Sequence, residues 1–163
     1  MNRYGWRRIG VAFWLAAALL GAAGADAQAE EPILTVSGLT DGPRELALDD
    51  LRRMGATELT TSTPWTDRAE TFTGVSGTRF VEALGATGGE VVAQALNDYR
   101  VVIPFDVLGS DDVLVAYARN GEPMSVRDKG PVWILFPFDA DRRFLSDTYR
   151  TYSIWNLSHL EFR

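Results

Sequence analysis

The feature that most constrains this sequence is that its 163 residues include no cysteine. Without disulfides, a small domain depends for its stability on the packing of its own apolar core. The absence also removes thiolate nucleophiles, redox dithiols and cysteine metal ligands. His159 is the only histidine, which excludes a zinc site and most histidine-based catalysis. These exclusions favour a binding function over catalysis.

The N-terminus has the three parts of a secretory signal. Three arginines precede an apolar run from Ile9 to Leu20, and the segment ends in Ala25-Asp26-Ala27. The apolar run is shorter than the roughly 20 residues that a membrane-spanning helix needs. We therefore predict a cleaved signal peptide over 1–27 and a mature domain over 28–163. This domain is expected to be periplasmic or secreted, without a stable membrane anchor.

The composition is acidic, with 16 Lys and Arg against 22 Asp and Glu and a formal net charge of −6. Removal of residues 1–27 takes away three arginines and one aspartate, which makes the remainder more negative. Proteins that bind nucleic acid or anionic lipid depend on a basic surface. We therefore expect no nucleic-acid partner. The length of the mature segment suits one domain with one core.

Hydrophobic patterning predicts an α+β domain made mostly of mixed sheet, with a few short helices. Asp49 is the predicted N-cap of a helix ending at Met54, and a second helix is predicted from Thr78 to Leu84. Single helical turns are expected near 104–109 and 142–146, and 65–68 reads as an exposed loop. Strands are predicted over 33–36, 58–63, 71–75, 91–96, 99–103, 113–118, 132–136 and 154–162. The residue pairs Asn97-Asp98 and Asn120-Gly121 predict hairpin turns.

Two polar segments carry candidate binding side chains. Asn97, Asp98 and Tyr99 place an amide beside a carboxylate, which suits the N–C–N edge of a flat ring. The alternative is a simple Asx turn between two strands, which the residues alone favour.

The second segment comprises Arg127, Asp128 and Lys129, directly before an apolar run. Its cations and backbone N–H groups can face an anion or a polar heterocycle. A solvated loop with internal ion pairs is the favoured alternative.

Three tryptophans have different expected roles. Trp65 follows a proline in a threonine-rich loop, and its ring can stack on a ligand or pack on the domain's own surface. Trp155 is predicted to lie in the core or in a pocket wall. Trp133 lies within the apolar run 132–136, which is typical of a strand buried on both faces, and is assigned to the core.

The carboxylate pairs Asp111-Asp112 and Asp139 with Asp141 are interpreted as loop charges.

Several motifs follow one another along the chain. They are Ala95-Leu96-Asn97-Asp98-Tyr99 with Ile103-Pro104, Asn120-Gly121-Glu122-Pro123-Met124, Arg127-Asp128-Lys129-Gly130-Pro131-Val132-Trp133 with Pro137, and Ser153-Ile154-Trp155-Asn156-Leu157. Together they resemble the sulfite-oxidase-fold, molybdopterin-binding domain family, and its short exported members in particular. The resemblance spans roughly residues 33–162 and implies a mixed-sheet domain with a pterin pocket in its middle.

The sequence departs from the catalytic pattern that the resemblance implies. Catalytic members hold molybdenum through the pterin dithiolene and one cysteine, located before a strand with a step like Gly74-Val75. Here the region reads Thr60-Thr61-Ser62-Thr63-Pro64-Trp65, and a hydroxyl is a poor replacement for a thiolate on a soft metal. We therefore expect a pterin ligand, molybdopterin-like or simple, without molybdenum, and favour a protein that is not an enzyme.

The resemblance also implies roles for the candidate residues. Trp65 would stack on the bicyclic ring, Trp155 would wall the pocket, and Asn97 and Asp98 would read the ring edge. Asp98 is the first candidate for hydrogen bonding to the ring edge, because a carboxylate can accept two parallel N–H bonds.

Arg127, Asp128 and Lys129 would contact ring or side-chain oxygens of the pterin. The leading hypothesis is a periplasmic pterin-binding protein that reports to a membrane signalling protein, of the kind that controls cyclic-dinucleotide turnover. The alternatives are a molybdopterin-dependent oxidoreductase and a protein-interaction domain with a vestigial pocket.

Overall fold

The structure is a computed structural model, and it describes residues 30–163. The predicted signal peptide over 1–27 lies outside the described residues. Within 30–163, no helix combines the length and the apolar character needed to cross a membrane.

The described part of the chain forms strands and short helices in the order that the hydrophobic pattern predicts, with one additional helix and two additional short strands at 44–46 and 122–123. Two 3₁₀ turns lie at Val126–Asp128 and Arg142–Leu145. The elements are β1 (Leu34–Ser37), β2 (Arg44–Leu46), α1 (Leu48–Met54), β3 (Thr57–Thr61), β4 (Glu70–Ser76), α2 (Gly77–Leu84), β5 (Glu90–Ala95), β6 (Arg100–Pro104), α3 (Phe105–Leu108), β7 (Leu114–Arg119), β8 (Glu122–Pro123), β9 (Trp133–Leu135), α4 (Asp147–Tyr152) and β10 (Leu157–Phe162).

The strands build two sheets. The first has the order β2-β1-β10-β5-β6, and the second has the order β3-β4-β7-β8 with β9 also paired to β7. The β1–β10 pair is parallel and the other described pairs are antiparallel. Across the parallel pair, the Ser37 hydroxyl lies 2.9 Å from His159 Nε2, which is a structural role for this histidine. The predicted α+β domain with mixed sheet is confirmed.

The two predicted hairpin turns are present, and each uses residues that tolerate positive φ. In the β5–β6 turn, Asp98 has φ of 64°, and Tyr99 N–H donates to Asn97 Oδ1 at 3.2 Å. In the β7–β8 turn, Asn120 and Gly121 have φ of 52° and 87°. Positive φ at both central residues matches the twist of the flanking strands.

The core lies around β9, which is buried on both faces as its uninterrupted apolar pattern predicts. Trp133, Ile134 and Leu135 are each 0% exposed. Phe72 of β4 meets the Trp133 ring edge-on at a centroid distance of 5.5 Å. Burial of each large apolar side chain contributes roughly 1.5–3 kcal/mol. The assignment of Trp133 to the core is confirmed.

Helix α1 begins earlier than predicted. It starts at Leu48, so Asp49 lies inside its first turn and is not the N-cap. The Asp50 carboxylate, at the third helical position, accepts a hydrogen bond from the N–H of the N-cap residue Ala47 at 2.8 Å. A side chain inside the helix thus satisfies a backbone donor at its start.

The C-terminal region also differs from the prediction. The last strand covers only Leu157–Phe162, and the predicted strand residues 154–156 are irregular. Helix α4, which the sequence did not predict, precedes them. Its Tyr149 packs edge-on against Phe136 and Phe144, each at 5.0 Å, so tertiary contacts of one aromatic face stabilise a helix too short to show a periodic pattern.

Candidate functional site

A cleft with a volume of about 510 Å³ lies where three segments of the described structure meet. These segments are the β3–β4 loop, the β5–β6 hairpin, and α4 with the residues that follow it. The volume falls within the range of small-molecule sites, about 300–1,000 Å³. We call it the tryptophan cleft. Its lining comprises Trp65, Ala95, Asn97, Tyr99, Asp147, Arg150, Thr151, Ser153, Ile154 and Trp155.

The apolar wall of the cleft is a cluster of indole rings. Trp65 and Trp155 are in edge contact, with centroids 5.0 Å apart and planes at 65°. Behind them, Trp133 lies 5.9 Å from Trp65 and 6.3 Å from Trp155. The expected exposed loop at 65–68 is therefore wrong for Trp65, which is half-buried and packs on the core. Both lining tryptophans retain surface for a planar ligand.

The loop that carries Trp65 is held by hydroxyl groups. Thr63 N–H donates to Thr66 Oγ1 at 2.9 Å, and Trp65 N–H donates to Thr63 Oγ1 at 3.2 Å. Thr63 is buried, so its polar atoms need these internal partners. This loop occupies the region where the family resemblance predicts a cysteine in catalytic members.

Asp139 anchors the start of the same loop. Its carboxylate accepts hydrogen bonds from the Ser62 hydroxyl and the Ser62 N–H, while Asp139 N–H donates to Thr61 Oγ1 at 3.2 Å. The hydrogen bonds from the Ser62 side chain and then its backbone hold the pKa of Asp139 below its ordinary value. Asp139 is therefore a charged group in an exposed turn, as the sequence predicts, and it also anchors the loop that carries Trp65.

The cleft floor is fixed by a buried hydrogen-bonded pair. Trp133 Nε1–H donates to the carbonyl and hydroxyl oxygens of Ser153 at 3.3 and 3.2 Å. The Ser153 hydroxyl donates to Ile134 O at 2.8 Å. Ser153 is only 1% exposed, so these contacts satisfy both polar groups inside the core and set the path of the chain toward Trp155.

Lys129 contacts the cleft wall from outside the lining. Its ammonium lies 4.7 Å from the centroid of Trp155 and 5.9 Å from that of Trp133. Its backbone has φ of 72° and closes the short turn Val126–Asp128. A cation over an indole face is attracted by the negative potential of the ring.

The sequence-predicted site residues separate into two groups. The structure brings Trp65, Asn97, Tyr99 and Trp155 together in the cleft lining. Asp98 is not part of the lining, and its Oδ1 accepts from Gln94 Nε2 at 2.8 Å.

The remaining two predicted residues belong to the turn before β9. Asp128 accepts from the Ser125 hydroxyl at 2.6 Å and pairs with Arg119 at 3.4 Å. Arg127 is exposed at the same turn, and neither residue is in the cleft lining. The structure thus places this turn beside the cleft, with Lys129 as its contact to the wall.

Sequence reasoning missed the polar wall contributed by α4. Asp147, Arg150 and Thr151 line the cleft, and Arg150 lies 3.8 Å from Asp147 in a loose ion pair. The available signal was weak: Ser146 is an N-cap residue type followed by an acidic first turn. Arg150 thus adds a guanidinium to the cleft lining.

Comparison with known structures defines the class of this fold. The sulfane dehydrogenase SoxCD from Paracoccus pantotrophus superimposes with a TM-score of 0.53 at 16% identity, covering 78% of this chain and 37% of that chain. The chain thus has a sulfite-oxidase-like fold and spans little more than a third of the length of that relative.

The family model of the oxidoreductase molybdopterin binding domain matches residues 22–139, most of the chain. The chain therefore belongs to the oxidoreductase molybdopterin-binding domain family. Helix α4 and Trp155 lie beyond the matched range. A comparison with curated proteins gives no significant match.

The cleft residues fit the organic part of such a cofactor. Indole faces suit a bicyclic ring, and the Asn97 amide suits its polar edge. The donor set does not fit a metal held by a protein thiolate, because the chain has no cysteine. The hydroxyls of Thr61 and Ser62 are also engaged with Asp139.

Proposed function

We propose that this domain binds a pterin-type heterocycle in the tryptophan cleft without a protein-ligated molybdenum. The observation that carries the proposal is the convergence of Trp65, Trp155, Asn97 and Tyr99 from three separate segments on one cleft of about 510 Å³. Family membership supports a pterin-type ligand, and the absence of cysteine argues against the metal chemistry of catalytic relatives.

Binding would combine stacking with a small number of oriented hydrogen bonds. Trp65 and Trp155 offer aromatic surface to the ring, at about 1–3 kcal/mol for a good base–aromatic stack. Asn97 Oδ1 already accepts from Tyr99 N–H, so the amide NH₂ is the donor that Asn97 offers to a ring oxygen or nitrogen. Arg150 and Thr151 can meet the polar substituent of the ring.

The direct test is a titration of the mature domain with neopterin, monitored by calorimetry and by tryptophan fluorescence. We expect one site per chain and quenching of indole emission. Trp65→Ala and Tyr99→Ala should weaken binding at least tenfold. The absence of both heat and quenching with oxidised and reduced pterins would sink the proposal.

Asp98→Ala tests the edge-reading role predicted for that carboxylate. Its hydrogen bond to Gln94 and its position outside the cleft lining lead us to expect near wild-type affinity. A loss of affinity comparable to that of Trp65→Ala would instead indicate that Asp98 binds the ring edge.

A second function, molybdopterin-dependent oxidoreductase, is favoured by family membership and by the fold shared with sulfane dehydrogenase. Metal analysis of protein purified from its native compartment separates the two functions. Stoichiometric molybdenum that co-elutes with the protein would establish the oxidoreductase and contradict metal-free binding.

We further propose that the domain is exported and reports pterin occupancy to the periplasmic part of a membrane signalling protein. The support is the secretory pattern over 1–27, with its basic start and Ala25-Asp26-Ala27. Cell fractionation and N-terminal sequencing test export. Signalling that survives in the Trp65→Ala, Asp98→Ala double variant would favour an interaction domain with a vestigial pocket.

A further inference from the structure

One residue at the back of the tryptophan cleft bonds to two of the segments that surround it. Asn156 directly follows Trp155 and has a left-handed backbone, with φ of 50°. Its N–H donates to Lys129 O at 3.0 Å, and its carbonyl accepts from Leu96 N–H at 2.9 Å. The backbone of Asn156 therefore connects the turn before β9 to the β5–β6 hairpin, next to Asn97.

The side chain of Asn156 repeats the first of these connections. Its Nδ2 donates to Val126 O at 2.9 Å and also to Gly130 O. The two N–H groups of one side-chain amide thus donate to the two ends of the turn that carries Lys129. From that turn, the Lys129 ammonium lies 4.7 Å from the centroid of the Trp155 ring.

Few residue types can make this set of contacts. Asparagine tolerates the left-handed conformation and carries two N–H donors on one nitrogen. Aspartate has a similar shape but offers only acceptors, which would face two carbonyl oxygens. Glycine adopts the same backbone but has no side-chain donor.

We propose that Asn156 is the positioning residue of the tryptophan cleft. Its side-chain amide holds the 126–130 turn so that Lys129 lies over Trp155, and its backbone holds the hairpin that presents Asn97. The part that concerns affinity rests on the proposed pterin-binding function. The part that concerns the placement of Lys129 is independent of any ligand.

The test uses Asn156→Gly and Asn156→Asp, which keep the backbone conformation accessible and remove the two donors. Asn120→Gly is the matched control. Asn120 also has positive φ, and its Oδ1 accepts from Thr71 N–H at 3.1 Å in the β7–β8 hairpin, whose residues do not line the cleft. All three variants are compared with wild type in thermal unfolding, neopterin titration and NMR of ligand-free protein.

Both Asn156 variants should weaken neopterin binding about tenfold, because the turn that carries Lys129 loses the two side-chain hydrogen bonds that hold it beside the cleft. In ligand-free protein, the Lys129 side-chain protons should lose the ring-current shift imposed by Trp155. Asn120→Gly should lower the melting temperature without moving either readout. A purely structural role for Asn156 would lower stability and leave the Lys129 shift intact.

Two outcomes overturn the proposal. One is an unchanged Lys129 shift in both folded Asn156 variants, and the other is wild-type neopterin affinity in Asn156→Asp. Failure of the proposed function is seen separately, as an absence of neopterin binding by the wild type. In that case the ligand-free shift still decides whether Asn156 positions the turn. If Asn156→Gly does not fold, Asn156→Asp supplies the same measurement.

Discussion

The ammonium group of Lys129 lies 4.7 Å from the centroid of the Trp155 ring, on a wall of the tryptophan cleft. Lys129 belongs to a turn whose other residues, Arg127 and Asp128, do not line the cleft. The turn therefore contacts the cleft wall through Lys129, although none of its three residues lines the cleft. This contact adds to the packing of the Trp155 ring against Trp65 and Trp133.

Lys129→Met removes this cation while keeping a long side chain over the ring. A cation–π contact at a partly exposed site is worth about 0.5–1 kcal/mol, so we expect pterin affinity to fall by a few-fold. Tryptophan emission should also change in the ligand-free protein. Arg127→Met, two residues earlier, is the control and should leave both readings unchanged. Equal effects of the two substitutions would mean that net charge, rather than the ring contact, matters.

Trp65→Ala should affect stability and binding together. The ring packs against Trp133, Trp155 and Phe138 at centroid distances of 5.0–6.0 Å, yet it is only half-buried. We expect urea denaturation to show a loss of about 2–3 kcal/mol in the free energy of unfolding. This value is at or below the lower end of the losses typical of fully buried aromatic side chains, because the ring is partly exposed. Trp65→Phe keeps an aromatic surface and should retain most of both properties. Unimpaired stability in Trp65→Ala would contradict its packing role.

Ser153→Ala tests the buried hydrogen bonds beneath the cleft. The substitution leaves Ile134 O without its donor and Trp133 Nε1–H with only a carbonyl partner at 3.3 Å. We expect a loss of about 1–3 kcal/mol. Ser158→Ala is the control, because its hydroxyl donates to Gln94 O at 3.2 Å at a partly exposed site. The two variants should differ clearly in chemical denaturation, and equal losses would refute the importance of burial.

Acidification should loosen the loop that carries Trp65. Hydrogen bonds from Ser62 hold the pKa of Asp139 below its ordinary 3.8, so the folded state favours the carboxylate. This stabilisation is complete above the ordinary pKa and is lost as the pH falls through the lower folded-state pKa. Trp65 emission and unfolding free energy should both record the loss.

Asp139→Asn removes this titrating group and weakens the anchor at neutral pH. The variant should be less stable than wild type at pH 7, and the difference should shrink as the wild type is acidified. Asp111→Asn, which removes a charge at another exposed position, is the control. A stability difference that is constant across this acid range would show that the Ser62 contacts do not depend on the Asp139 charge.

Much of the secondary structure follows from local chemistry. The Asn97-Asp98 and Asn120-Gly121 turns were predictable because a hairpin turn depends mainly on which residues tolerate positive φ. The buried strand at Trp133–Leu135 was predictable because an uninterrupted apolar run has no face suited to water. Helix α4 was not, because six residues are too few for a periodic pattern and its stability comes from Tyr149 packing on distant phenylalanines.

The candidate site divides in the same way. The chain's lack of cysteine and its single histidine determine, from the sequence alone, which ligand atoms the protein can offer to a metal. Only the tertiary structure decided which candidates meet. Tyr99 lines the cleft while neighbouring Asp98 bonds to Gln94, because neighbouring side chains in a hairpin turn point in different directions. Trp65, Asn97 and Trp155 are far apart in sequence, and they share one cleft because the two sheets and the shared core bring their loops together.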